Sequence, residues 1–123
     1  MATVNLMSAT SMKETLFVAG QLTTTSASTV YTVPPNSGIK ISAAALCNTA
    51  SSTVTINGIH IVPSGGSASA TNKIVSSYPL TAGDTLSLTN YLNGMMLGDG
   101  DSIAVQVSTA NAVNVIISGA IAS

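Results

Sequence analysis

Along residues 97–121 apolar and polar positions alternate with a period of two. Ile103, Val105 and Val107 alternate with Ala104, Gln106 and Ser108. Further on, Val113, Val115, Ile117, Gly119 and Ile121 alternate with Asn114, Ile116, Ser118 and Ala120. Two such runs joined by Thr109-Ala110-Asn111 predict an antiparallel hairpin with one buried face. A slip of one residue would turn Val113, Val115 and Ile117 to water, so the register is strongly specified.

The same period recurs upstream. Leu16, Val18, Gly20 and Leu22 alternate with Phe17, Ala19 and Gln21, predicting a first strand that begins at Thr15. A second short strand, residues 29–33, is ended by Pro34-Pro35, since proline cannot donate to a ladder. A third runs from Ile39 to Cys47 and carries alanines on both faces, which suggests close approach of another layer or subunit. Between Ser51 and Pro63 the parity changes: Val54 and Ile56 share one face, Ile59 and Ile61 the other. Asn57-Gly58 between them is either a hairpin turn or, with Gly58 as its site, a bulge that inserts one residue, and the pattern fits both equally. Residues 73–78 form a strand stopped by Pro79, and residues 85–89 form another. Residues 90–96 break the alternation and read as a loop with an apolar tip, Tyr91, Leu92, Met95 and Met96. Turn signals between short strands predict an antiparallel β-sandwich, jelly-roll or Ig-like, of about seven or eight strands over residues 15–123. Residues 1–14 stand outside this pattern as an N-terminal arm, with Leu6, Met7 and Met12 as candidate attachment residues.

Composition sharpens the picture. Only 6% of the 123 residues are charged, 46% are hydrophobic and 3% aromatic. An ordinary soluble domain carries roughly 25% charged residues. A surface this poor in charge suits a chain packed permanently against copies of itself or a partner. Aromatic residues are too few for the girdles of a membrane barrel, and no apolar run reaches the ~18 residues of a spanning helix. Three lysines and no arginine argue against a nucleic-acid-binding face. The N-terminus has neither the basic nor the apolar segment of a secretory signal. Cys47 is alone and in step with Ile39, Ile41, Ala43 and Ala45, so it is expected to be a buried small hydrophobe.

Candidate chemistry is sparse. His60, between Ile59 and Ile61, lacks a second histidine and is expected to be a partly exposed or interface polar residue. Asp84, Asp99 and Asp101 offer oxygen ligands for calcium, yet Asp-Gly is first a turn dipeptide and the spacing fits no EF-hand loop. No strained Gly-x-Ser-x-Gly elbow and no acid–base pair appear. The sequence therefore predicts no catalytic residues, no cofactor and no metal.

One ordered set of segments resembles small bacteriophage virion proteins. It comprises Val30-Tyr31-Thr32-Val33-Pro34, Leu46-Cys47-Asn48-Thr49 and Ile61-Val62-Pro63-Ser64-Gly65-Gly66. It continues with Leu80-Thr81-Ala82-Gly83-Asp84-Thr85-Leu86, Gly98-Asp99-Gly100-Asp101-Ser102-Ile103 and the closing run from Val113 to Gly119. In order and spacing this is similar to the β-sandwich domains of capsid decoration proteins and of tail or baseplate accessory proteins, over about three quarters of the chain. The resemblance implies a strand that runs continuously through Asn57-Gly58 into Val62-Pro63, so that the bulge is preferred to the hairpin turn. It also implies a non-enzymatic structural protein of the virion, assembled in the bacterial cytoplasm. A self-associating decoration or cement subunit, a trimer or other ring on the major capsid protein, is the leading expectation. A tail, neck or baseplate adaptor and a carbohydrate-binding module are the alternatives.

Overall fold

In a computed structural model, which describes residues 12–123, the alternating runs are strands. They are β1 (Met12–Gln21), β2 (Ser28–Thr32), β3 (Gly38–Asn48), β4 (Val54–Val62) and β5 (Lys73–Leu80). After these come β6 (Thr85–Ser87), β7 (Met96–Leu97), β8 (Ser102–Val107) and β9 (Val113–Ala122), with a helical turn, α1 (Thr89–Leu92), between β6 and β7. Two antiparallel sheets pack face to face, as a sandwich requires. The first runs β1-β9-β3-β6, with β7 also on β3; the second runs β2-β8-β4-β5. With β7 set aside, the first strand pairs with the last and the second with the next to last. The third then pairs with the sixth and the fourth with the fifth. This is the pairing of one long antiparallel hairpin rolled up on itself.

Between the sheets lie Ile39, Ile41, Leu46, Val113, Val115 and Ile117 from the first, and Val54, Ile56, Ile59, Ile103, Val105 and Val107 from the second. Burying each such side chain contributes about 1.5–3 kcal/mol, and β-branched residues suit the pleated surface.

The expected hairpin of residues 103–121 is not one. β8 pairs with β2 and β4 in the second sheet, whereas β9 pairs with β1 and β3 in the first. The link between them arches across the sandwich: Ser108 donates its N–H to Thr55 O at 2.9 Å, and Asn111 donates to Leu22 O at 2.9 Å. Alternation buries one face of each strand in either arrangement, so periodicity does not distinguish a hairpin from an arch.

Bulges account for most other departures. β4 is continuous, and its register against β8 shifts between Ile56 and Gly58, so Asn57 is the inserted residue and the preferred bulge reading holds. In β3 the register against β9 shifts between Ile41 and Ala43. This inserts Ser42 and reverses parity: Ile39, Ile41, Ala44 and Leu46 point inward, and Ala43, Ala45 and Cys47 outward. Cys47 is accordingly half-buried on the outer face rather than in the core. In β1 a shift between Leu16 and Val18 inserts Phe17, which separates Leu16 from Val18 and leaves Leu16 exposed. β5 continues through Pro79, which lies opposite Thr55. An edge strand tolerates a residue without an N–H.

The two bulges in β1 and β3 flank β9 near Gly119. A Cβ on Gly119 would run into the Lys40 carbonyl oxygen and lie 3.0 Å from Ile41 Cα. Both are backbone atoms and cannot swing aside. We expect Gly119→Ala to destabilise the fold by about 2–4 kcal/mol in denaturant unfolding. Gly20→Ala, on the same sheet with nothing within 4 Å of the added Cβ, should stay within about 1 kcal/mol.

Candidate interaction surface

The sequence-predicted site residues scatter. Leu6 and Met7 lie outside the described residues. Met12, expected in the arm, is instead the first residue of β1, opposite Ala122, so the strand begins three residues before Thr15. The apolar loop tip is not a tip. α1 and β7 run along the edge of β3 at its bulge, where Leu88 N–H bonds Ala44 O at 2.8 Å and Gly94 N–H bonds Ile41 O at 2.7 Å. This turns Leu92 fully into the core and packs Met95 partly against it, while Tyr91 and Met96 stay exposed at 57% and 63%. Sequence reasoning saw four apolar residues off the strand pattern; the helical turn divides them between inside and outside.

His60 does face away from Ile59 and Ile61, but it is buried rather than partly exposed. The segment after β4 folds back over it and closes with a single 3-10 turn, residues Ala70–Asn72. His60 Nδ1 lies 3.0 Å from Ser69 O and 2.9 Å from Asn72 Oδ1. Both are acceptors, because Asn72 Nδ2 donates to Ser67 O and Asn72 Oδ1 accepts from Ser69 N–H. Nδ1 therefore carries the proton and pins the loop. Gly58 leaves room for this ring: a Cβ there would meet His60 Nε2 at 2.8 Å.

Of the three aspartates, Asp99 and Asp101 are clamps, whereas Asp84 bonds through its backbone, its carbonyl accepting from Asn48 N–H at 2.9 Å. Asp101 Oδ1 accepts from Ser64 N–H and Oδ2 from Gly98 N–H, both at 2.9 Å, and Asp99 Oδ2 accepts from Asn36 N–H at 3.0 Å. These bonds tie the turn before β8 to the turns after β2 and β4. Asp99 Oδ1 is buried with no hydrogen-bond partner among the described residues. One spare oxygen is far from the six to eight that calcium requires. No cluster of three His, Cys, Asp or Glu able to hold a metal occurs among the described residues.

What the structure does bring together is the outer face of the first sheet. Residues directly opposite in an antiparallel ladder point to the same side. The register therefore lays out rows: Met12, Ala122 and Gly38; Glu14, Ala120 and Lys40, with Met96 beyond Lys40; Leu16, Ser118 and Ala43; Ala19, Ile116 and Ala45. Of the six large hydrophobic residues most exposed among the described ones, four lie here: Met12, Leu16, Met96 and Ile116, at 52–63%. Small residues of β9 form a trough between Met12 and Leu16 on one side and Lys40 and Ser42 on the other, an open groove of about 690 Å³. Period-two reading could not find this face, because Leu16 and Met96 reach it only through a bulge and a two-residue strand.

Comparison with protein-family models, curated proteins and solved structures finds no match to this chain.

The clamp reading has a direct consequence. Asp101→Ala should cost about 1.5–3 kcal/mol in denaturant unfolding, the range for hydrogen bonds to a charged group. A chelator should leave the unfolding midpoint within the ~5 °C that roughly 1 kcal/mol represents in a domain of this size.

Proposed function

We propose that the chain is a non-enzymatic, self-associating structural subunit of a phage particle, acting as a capsid decoration or cement protein. The observation that carries self-association is the apolar outer face of the first sheet, on a protein with 6% charged residues. Contiguous exposed apolar patches on soluble domains mark interaction sites. The assignment to a virion rests on the ordered motifs from Val30 to Gly119 and on the strand pairing. First with last, second with next to last, third with sixth and fourth with fifth supports the jelly-roll reading over the Ig-like one, and jelly rolls recur in viral capsid and lectin domains. Fold alone does not fix function, so this support is by analogy.

The mechanism is mechanical. Surface buried between subunits and lattice favours the assembled shell over its separated parts by mass action. A tail, neck or baseplate adaptor uses the same physics at lower copy number. A carbohydrate-binding module is the reading from another class. Tyr78 on β5 and Tyr91 on α1 are exposed, but the ring pair found among the described residues is Phe17–Tyr31, with centroids 5.0 Å apart.

Quantitative mass spectrometry of purified particles tests the proposal. Decoration predicts a copy number comparable to that of the major capsid protein. A handful of copies per particle would move the chain to the tail or neck, and its absence from particles would end the virion reading.

A further inference from the structure

We infer that two copies of this chain pack through the outer faces of their first sheets, about a two-fold axis that lies in the interface and runs parallel to β9. The inference rests on the self-association proposed above and adds the surface and the symmetry.

The register of the sheet carries it. β9 is the middle strand, with β1 on one side and β3 on the other. A two-fold axis along β9 exchanges the two flanks, so each residue of β1 comes to lie over the residue of β3 that shares its row. Leu16 then sits over Ala43 of the second copy, and Ala19 over Ala45, while Met12 lies at the end of the face, where Gly38 and Ala122 are already buried. Large side chains meet small ones, and the trough beside Ser42, Ser118 and Ala120 receives Leu16. Along the axis, Ala120 and Ser118 meet their own counterparts, small against small, and Ile116 meets Ile116 in the row where its neighbours are Ala19 and Ala45.

Charge selects this arrangement over the alternative. The face carries one acid and one base, Glu14 on β1 and Lys40 on β3, in the same row on either side of Ala120. Two strand spacings separate them, about 10 Å. With the axis along β9, Glu14 lies over Lys40 of the second copy, and Lys40 over its Glu14. With the axis across the strands through this row, Glu14 would meet Glu14 and Lys40 would meet Lys40, which is destabilising. The face is thus self-complementary in shape and charge, as an isologous contact requires.

Residues 1–11 suit the face less well. They contain no Asp, Glu, Lys or Arg and bring no side-chain charge to answer Glu14 and Lys40. With the axis on β9, the three strand positions β1, β9 and β3 overlap over about ten residues, roughly 480 Å² per copy or about 950 Å² in all, the size of a reversible contact rather than an obligate one. Packed sheets cross at about −30°, which keeps the central rows in register.

The test uses the full chain and two charge reversals, Glu14→Lys and Lys40→Glu, followed by sedimentation velocity and native mass spectrometry. Each variant alone places like charges opposite each other at two points, and its self-association should weaken at least about tenfold. Mixed together, with one labelled with nitrogen-15, the two should form a heterodimer as tight as the wild-type dimer, since every opposed pair is again Glu with Lys. The double variant Glu14→Lys/Lys40→Glu should likewise associate as wild type does. Recovery on mixing cannot come from variants that fail to fold. Wild-type self-association that both reversals leave unchanged would overturn this face and leave the self-association reading standing. Single variants that weaken but do not recover on mixing would overturn the two-fold contact. A wild-type chain that stays monomeric through high micromolar concentration would overturn both.

Discussion

β9 hydrogen-bonds to β1 along one side and to β3 along the other, and both ladders are nearly as long as the strand itself. A central strand has no freedom to slip, because a shift of one residue would expose Val113, Val115 and Ile117 and break two ladders together. The last ten strand residues of the chain therefore hold its first described strand and its third in fixed relation. β8 does the same for β2 and β4 in the other sheet. With two such central strands from adjacent stretches, the arch at residues 108–112 joins the middle of one sheet directly to the middle of the other. Thr49 reinforces it, donating its N–H and its hydroxyl to Ala112 O at 2.7 and 2.9 Å.

The outer face of the first sheet follows from that same ladder. Gly119 lets β9 approach β3 at the Ser42 bulge, and the opposing bulge at Phe17 turns Leu16 outward. The Ser42 bulge also brings Ala44 and Leu46 into the core, and Phe17 and Val18 pack partly against it. Together the two bulges put Met12, Glu14 and Leu16 on one flank of a small-residue trough and Lys40 with Met96 on the other. A sandwich that had only to stay soluble would place more charge there than Glu14 and Lys40. This one has seven charged side chains in all, and three of those in the described residues, Asp101, Asp99 and Lys73, lie around the clamps and the His60 loop. The second sheet is covered differently, by its own chain: the segment pinned by His60 Nδ1 lies over β4 and buries that histidine.

Much of the architecture was legible in the sequence, because strands with one buried face write their period directly into it. Val113 to Ile117 and Ile103 to Val107 are plain strands. The parity change across Asn57-Gly58 marked an irregularity there, a turn or a bulge, without deciding between them. What periodicity could not supply was pairing. The link between β8 and β9 is as short as a hairpin loop, yet it crosses between sheets, a choice made by long-range ladders. Parity also misled where a bulge left no polar-to-apolar signature: Ala43 and Ala45 are as compatible with the core as Ala44, so Cys47 was placed on the wrong side. Leu92 and His60 failed for a related reason. Each is buried by a segment that folds back, a helical turn over the core and a loop over the second sheet, and neither contact has a local pattern.

The central claim is that the outer face of the first sheet is covered in the assembled protein. Hydroxyl-radical footprinting tests it directly, because β1 lays two oxidisable side chains, Met12 and Leu16, on the face, and the exposed Tyr91 on α1 supplies a reference outside its rows. Comparing the dilute chain with the assembled one should show Met12 and Leu16 protected in the assembly, while Tyr91 is modified at the same rate in both. Equal oxidation of Met12 and Leu16 in the free and assembled states would contradict the account.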